Sequence, residues 1–160
     1  MTVDLEAALA SVAETTPLVN AITNAVTVNQ VANVTLHWGG LPVMSDNRRD
    51  AVEMVKGAES LLLNMGDVSD RGAETMVATG QSANESDVPV VVDPVGVGAT
   101  AARDEVAEML VDDVSPAVIN GNYGEITALA GETAEVRGVE SVGEYADIAG
   151  SAMACARRTG

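Results

Sequence analysis

The sequence predicts an α/β fold: one domain over residues 1–160, with a mainly parallel sheet carrying helices on both faces. Short apolar runs that end in polar or glycine-rich loops alternate with stretches of helical spacing, the pattern of repeated βα units. Runs such as Pro89-Val90-Val91-Val92 are apolar without a polar alternate, as strands covered on both faces are. No repeat, low-complexity run or linker divides the chain.

Leu5, Leu9 and Val12 recur at helical spacing behind Asp4, and Pro17 ends that first helix. Leu18 to Ile22 is a short strand, Thr23-Asn24 a polar loop, and Val28 to Trp38 a helix closed by Gly39-Gly40. Leu41 to Met44 is the next strand, and Ser45-Asp46 caps the helix carrying Val52, Met54 and Val55. Ser60 to Met65 is a buried strand, and Ser69-Asp70 opens a helix running to about Asn84. Pro89 to Val92, a helix over Ala101 to Val111, Ala117 to Ile119 and a helix over Tyr123 to Ala130 continue the alternation. Beyond Gly131 to Val139 a last helix runs from about Val142 to Arg158. A further strand normally follows such a helix, so the sequence reads as the front portion of a larger α/β unit, incomplete at its C-terminal end. Uncovered sheet edges and apolar faces then predict self-association or poor solubility.

Composition narrows the partners. The 47% hydrophobic content excludes a disordered acidic tail, while 2% aromatic residues and no Phe leave Val, Ala, Leu, Ile and Met to fill the core. A net charge of -16 repels nucleic acid and anionic membranes alike. With 24 acidic residues and Lys56 the only lysine, the surface is that of a protein from a very salty cytoplasm, where molar salt screens the self-repulsion. The thermal midpoint is expected to rise from low to molar KCl; equal midpoints would contradict the reading. The chain's first residues show no secretory signal, no apolar run reaches a membrane span, and a cytoplasmic location is expected. Asn33 and Asn84 match the glycosylation pattern by chance. Cys155 among small residues is a packing residue, and the lone His37 is structural or exposed, so neither a Cys/His metal cluster nor a Ser-His-Asp triad is available.

Chemistry in an open parallel sheet gathers beyond the carboxyl ends of its strands. The loops there are Thr23-Asn24, Met44-Ser45-Asp46, Asn64-Met65-Gly66-Asp67, Asp93 to Thr100, and Asn120 to Glu125. Gly96-Val97-Gly98-Ala99-Thr100-Ala101 fits the dinucleotide fingerprint, but it comes late in the chain and Asn120 falls near where the ribose-binding acid is expected. No Gly-Lys-Ser/Thr follows, which excludes a P-loop. The glycines allow backbone N–H groups to approach an anion at a helix start. Asp93 and Glu125 end neighbouring βα units and can converge on a hydrated Mg²⁺. Equally, Asp93-Pro94 can be a plain turn and Glu125 a first-turn helix acid.

Six blocks, taken together and in order, resemble one family: Pro17 to Asn24, Pro42-Val43-Met44, Asn64-Met65-Gly66, Ser82 to Glu85, Asp93 to Thr100 and Gly121 to Ile126. The chain is similar to the hydroxyethylthiazole kinases, enzymes of the ribokinase-like fold. The resemblance implies ATP-dependent phosphorylation of 4-methyl-5-(2-hydroxyethyl)thiazole in a homotrimer, with Mg²⁺ and ATP bound at sites between subunits. Met44 and Asn24 match substrate-binding positions. Asp93, Asn120 and Asn122 match positions around ATP, and Asp93 and Glu125 those that organise the metal. Asn120 stands where the family places a basic residue, and Asp67 where relatives often have Thr. The family's Thr-Gly-x-Gly loop, which carries the residue that activates the hydroxyl, has no counterpart in this sequence, so no catalytic residue is assigned. The isolated chain is therefore expected to be a weak or inactive kinase. The alternatives are a non-catalytic thiazole-binding remnant and, on the glycine fingerprint, a nicotinamide-dependent oxidoreductase.

Overall fold

A computed structural model describes residues 4–66, 69–132, 136–137, 140–141 and 147–160. Its centre is a five-stranded parallel sheet. The strands are β1 (Leu18–Ile22), β2 (Leu41–Met44), β3 (Ser60–Asn64), β4 (Val90–Asp93) and β5 (Val118–Ile119), in spatial order β2-β1-β3-β4-β5. From β1 the chain crosses outward to β2, then returns past β1 and steps in the other direction through β3, β4 and β5. Right-handed crossovers put the helix of the first connection on one face and those of the later connections on the other. These helices are α2 (Val28–His37) on the first connection, then α3 (Arg48–Met54), α4 (Asp70–Glu85) and α5 (Ala101–Asp113). The reversal of winding opens a crevice between the carboxyl ends of β1 and β3, where such sheets bind ligands.

The core follows from the strand pattern. Leu61, Leu63, Val90 and Val92 are buried completely or nearly so, and Val55, Met76, Leu110 and Val114 close over them from the helices. Alternate residues of β3 and β4 pack on this side, while partners in register put Asn20 beside Val43 and Ala21 beside Met44. Among the described residues no aromatic side chain enters the core cluster, as the composition predicts.

Most element boundaries lie within a residue or two of the sequence reading, and the departures have local causes. The cap of α3 is Asn47, not Ser45-Asp46: its Oδ1 accepts from the N–H groups of Arg49 and Asp50. Ser45 is still held by the sheet, donating its N–H to the Ala21 carbonyl at 3.0 Å. The helix α1 (Leu5–Thr15) forms behind its Asp4 cap but buries none of its residues. The helix α6 (Tyr123–Leu129) stops one residue early. The last helix, α7 (Ile148–Thr159), begins at the Asp147 cap rather than near Val142, and residues 142–146 lie outside the described residues. An antiparallel pair, β6 (Val136–Arg137) with β7 (Glu140–Ser141), occupies a stretch where no strand was predicted. Cys155 is buried and His37 is exposed, as read. Among the described residues no helix is long and apolar enough to cross a membrane.

Candidate functional site

All five loops singled out above sit at the carboxyl ends of the parallel strands, along one edge of the sheet. At the β1–β2 end, Met44 and Asn24 line a common cavity of 370 Å³ with Ala21 and Val28. Met44 is the register partner of Ala21, so both occupy the α2 side of the sheet. Asn24 is fixed from beneath: its Oδ1 accepts from the N–H of Val26 at 2.9 Å and of Thr27 at 3.1 Å, the turn that leads the chain into α2.

From that turn a hydrogen-bonded chain crosses the crevice. The Asn24 Nδ2 donates to Asn64 Oδ1 at 3.3 Å, and Asn64 Nδ2 donates to Asp93 Oδ2 at 2.6 Å. Gly66 N–H also donates to Asn64 Oδ1, at 3.0 Å. A Cβ at Gly66 would press on the Asn24 amide and lie 2.9 Å from Asn64 Oδ1, so a side chain there would displace the ends of these two amides. Burial pushes the Asp93 carboxyl above its usual range; the Asn64 donor opposes this, and the nearby Glu125 charge adds to it.

The glycine loop after β4 takes the shape its sequence allows: Gly96 and Gly98 have φ of 76° and 86°, where a side chain would be strained. Its N–H groups are already engaged by the chain's own carboxylates. Gly96 donates to Glu125 Oε1 at 2.8 Å and Gly98 to Asp104 Oδ1 at 2.6 Å. The loop therefore does not hold these two donors open for an external anion. Glu125 is buried at 4% exposure, and its other oxygen accepts from Asn122 N–H at 2.8 Å while Asn122 Oδ1 accepts from Glu125 N–H at 3.1 Å. This reciprocal cap starts α6 and staples it to the β4 loop. Asn120 is exposed at the end of β5, its N–H tied to the Val92 carbonyl at 2.9 Å. Asp67 lies outside the described residues.

The structure thus brings Asp93, Glu125 and Asn122 together, links Asp93 to Asn24 through Asn64, and leaves Asn120 at the rim. Two residues escaped the sequence reading. One is Asn64; the other is Arg103, in the first turn of α5. The Arg103 guanidinium donates to three backbone carbonyls, Val95 at 2.5 Å, Met65 at 3.2 Å and Gly66 at 3.3 Å, binding the β3 loop to the β4 loop. The planar, rigid fork of Arg serves these three spread acceptors with two of its nitrogens at once. Arg103→Ala is expected to lower stability by about 1–2 kcal/mol, or roughly 2–8 °C in the melting midpoint. Arg103→Lys should recover less than half of that. Hydrogen exchange provides the local check, since the amides of Met65, Gly66 and Val97 should exchange faster while those of β1 do not.

No group of three or more His, Cys, Asp or Glu side chains among the described residues could hold a metal ion. An all-protein cage is therefore absent from them. The half-buried Asp93 carboxylate, with one oxygen not held by Asn64 and the buried Glu125 charge nearby, fits Mg²⁺, which keeps its waters and takes one or two carboxylates together with substrate phosphates.

Comparison with known proteins gives a consistent picture. The model of the hydroxyethylthiazole kinase family matches residues 9–160. A protein named hydroxyethylthiazole kinase from Natronomonas pharaonis is 62% identical over 155 residues, covering 97% of this chain and 56% of that protein. Its namesake from Haloquadratum walsbyi is 62% identical over 154 residues, covering 96% and 54%. Both sources are halophilic archaea, in line with the acidic composition. Among solved structures, a hydroxyethylthiazole kinase protein from Pyrococcus horikoshii OT3 superposes with a TM-score of 0.74 at 40% identity, over 78% of this chain and 49% of that one. The chain spans about half the length of the curated relatives it matches.

Proposed function

Because this chain belongs to the hydroxyethylthiazole kinase family, we propose that the protein carrying it transfers the γ-phosphoryl group of ATP to the hydroxyethyl side chain of 4-methyl-5-(2-hydroxyethyl)thiazole, in the cytoplasm, as a salvage step toward thiamine. The observation that carries the reading is the placement of two unlike features on one sheet edge. A cavity at β1–β2 sets Met44, Ala21 and Val28 beside Asn24, Ser45 and Asp46, and a pair of carboxylates at β4–β5, Asp93 and Glu125, stands with Asn122. A small heteroaromatic alcohol suits the first and a metal-bound polyphosphate the second.

In this reading Met44 packs on the thiazole ring and Asn24 turns the alcohol toward Asp93. The alcohol oxygen forms a bond to the γ-phosphorus as the bond to the β–γ bridging oxygen breaks, ADP leaves, and the hydroxyl proton is released. When bound, Mg²⁺ neutralises the phosphate oxygens. Asp93 and Glu125 would hold it, Asp93 with the oxygen that Asn64 does not occupy. Glu125 contributes its charge while both its oxygens hold backbone N–H groups. In this reading Asn122 and Asn120 contact ATP. Neutral Asn120 supplies a weaker contact than a basic residue.

The functional test is thiazole phosphate formation from ATP, MgCl₂ and the thiazole alcohol in molar KCl, followed by mass spectrometry beside a full-length relative. Product formed in proportion to the protein supports the reading. Binding of the alcohol without product would make the chain a binding module, and absence of both would overturn it. NAD titrated in the same buffer should produce no heat.

The same reading makes the protein a homo-oligomer, a trimer by family. Leu5 and Leu9 of α1 and Val34, Leu36 and Trp38 around the end of α2 are exposed, at 72%, 47%, 55%, 55% and 58%. Gly39, just beyond α2, lies close to the Ala13 backbone of α1. Covering such exposed apolar residues with a second copy is favourable. Light scattering is expected to give a mass of about three chains, and a monodisperse monomer would contradict the assignment.

A further inference from the structure

Strand β3 lies between β1 and β4, so any direct contact between the Asn24 turn and Asp93 must pass over its carboxyl end. Asn64 occupies that end, in register with Asp93 on the neighbouring strand. The orientation of its amide is dictated by its neighbours. Gly66 N–H can only donate, so the atom it meets is Oδ1, and Nδ2 is left to face the Asp93 carboxylate. Oδ1 then also receives the Asn24 amide, and each of Asn64's polar atoms is engaged on a different side of the crevice.

Building on the kinase reading above, we propose that Asn64 is a positioning residue that couples the two halves of the site, holding the Asp93 carboxylate with Nδ2 and the Asn24 amide with Oδ1 so that they move as one unit. Three features support this. The bond to Asp93 is short and charge-assisted, hence among the stronger kinds. Gly66 sits against the junction, where a Cβ would crowd the Asn24 amide and Asn64 Oδ1, so the geometry is packed as well as bonded. Arg103 clamps the Met65 and Gly66 carbonyls from the α5 side, which holds the loop bearing the Gly66 donor in place. An ion that draws on the Asp93 carboxylate therefore pulls on Asn64, and through its Oδ1 on the amide that lines the cavity. The consequence is reciprocal: whatever the metal does to the affinity for the alcohol, the alcohol does to the affinity for the metal.

The test is calorimetric and needs no turnover. The dissociation constant of the thiazole alcohol is measured with and without MgCl₂ on the whole chain, for wild type, Asn64→Ala, Asn24→Ala and the double variant. Wild type should show a change of about fivefold or more on adding MgCl₂. Asn64→Ala should still bind MgCl₂ through Asp93 but show no such change. Asn24→Ala removes the other end of the link and should lose the coupling to the same extent, with the double variant no worse than either single. This variant, at a turn rather than in the core, carries the test if Asn64→Ala does not fold. A coupling that survives in the single variants, or that wild type never shows while binding both ligands, overturns the proposal and leaves the kinase reading standing. A wild-type chain that binds neither MgCl₂ nor the alcohol overturns both.

Discussion

Asp93→Asn is expected to lower the rate of phosphoryl transfer by about 10²–10³-fold, the usual consequence of removing one preorganised charge from a transition state, and at the same time to raise the melting point of the metal-free protein. The two effects have one cause. Burial pushes the Asp93 carboxyl above its ordinary value of 3.8, with Glu125 adding to the rise, so ionisation at this position opposes folding. For an acid whose folded pKa is raised, the favourable contribution is present below the unfolded value and is lost as pH rises through the folded one. At pH 7 the wild-type chain carries that unfavourable charge. Asn has the same shape, still accepts the Asn64 donor, and has no charge to desolvate. Half-exposure limits the gain, because solvent screens part of it. The difference in midpoint between variant and wild type should shrink as the buffer is taken below pH 4, and MgCl₂ should stabilise the wild type only. Equal midpoints at pH 7 together with unchanged activity would remove Asp93 from the centre of the site.

Asp93 as a candidate could be read from the sequence, since it stands at the end of an apolar strand and before a glycine loop. Its partners could not. The strands β3 and β4 are legible as runs of Leu and Val, but their relative register is a tertiary choice, and it is the register that sets Asn64 beside Asp93. Asn64 was one polar residue among several in a loop until that pairing gave its amide two sides. Arg103 looked like an ordinary charge in a helix, yet its fork reaches back to carbonyls 37 and 38 residues earlier in the chain. The helix caps show the same limit on a smaller scale. Ser45, Asp46 and Asn47 are all competent cap residues, and only the sheet's hold on Ser45 and the extended backbone at Asn47 select the last of them. The hairpin of β6 and β7 has two residues per strand, too few for any period to show. The glycine loop misled in a more instructive way. Its glycines were read as letting backbone N–H groups approach an anion, and the anionic partners that Gly96 and Gly98 meet are Glu125 and Asp104 of the same chain.

Glu125 accordingly has two roles to separate, and Glu125→Ala should produce the largest loss of stability of any substitution at the site. Both its oxygens accept backbone N–H groups, from Gly96 and Asn122, and the side chain is nearly inaccessible. Hydrogen bonds to a charged acceptor contribute about 1.5–3 kcal/mol each, and removing the acceptor leaves the buried Gly96 donor unpaired. With partial relaxation and non-additivity, a net loss of about 3 kcal/mol is expected, or roughly 6–12 °C in the melting midpoint. Glu125→Gln distinguishes the roles. An amide presents one oxygen and one NH₂, so it can satisfy Gly96 or Asn122 but must turn a donor toward the other. If Glu125 is mainly the staple between the β4 loop and α6, Gln should recover about half of the lost stability, and MgCl₂ affinity should follow how far the loop is restored. If its charge is what the metal requires, Gln should recover the midpoint yet leave MgCl₂ affinity as low as in the alanine variant. The geometry favours a combined result, with partial recovery of the midpoint and incomplete recovery of metal binding, because the same carboxylate that fixes the loop also raises the Asp93 carboxyl from across the site. Glu125→Ala with an unchanged midpoint would show that neither backbone hydrogen bond matters to the fold.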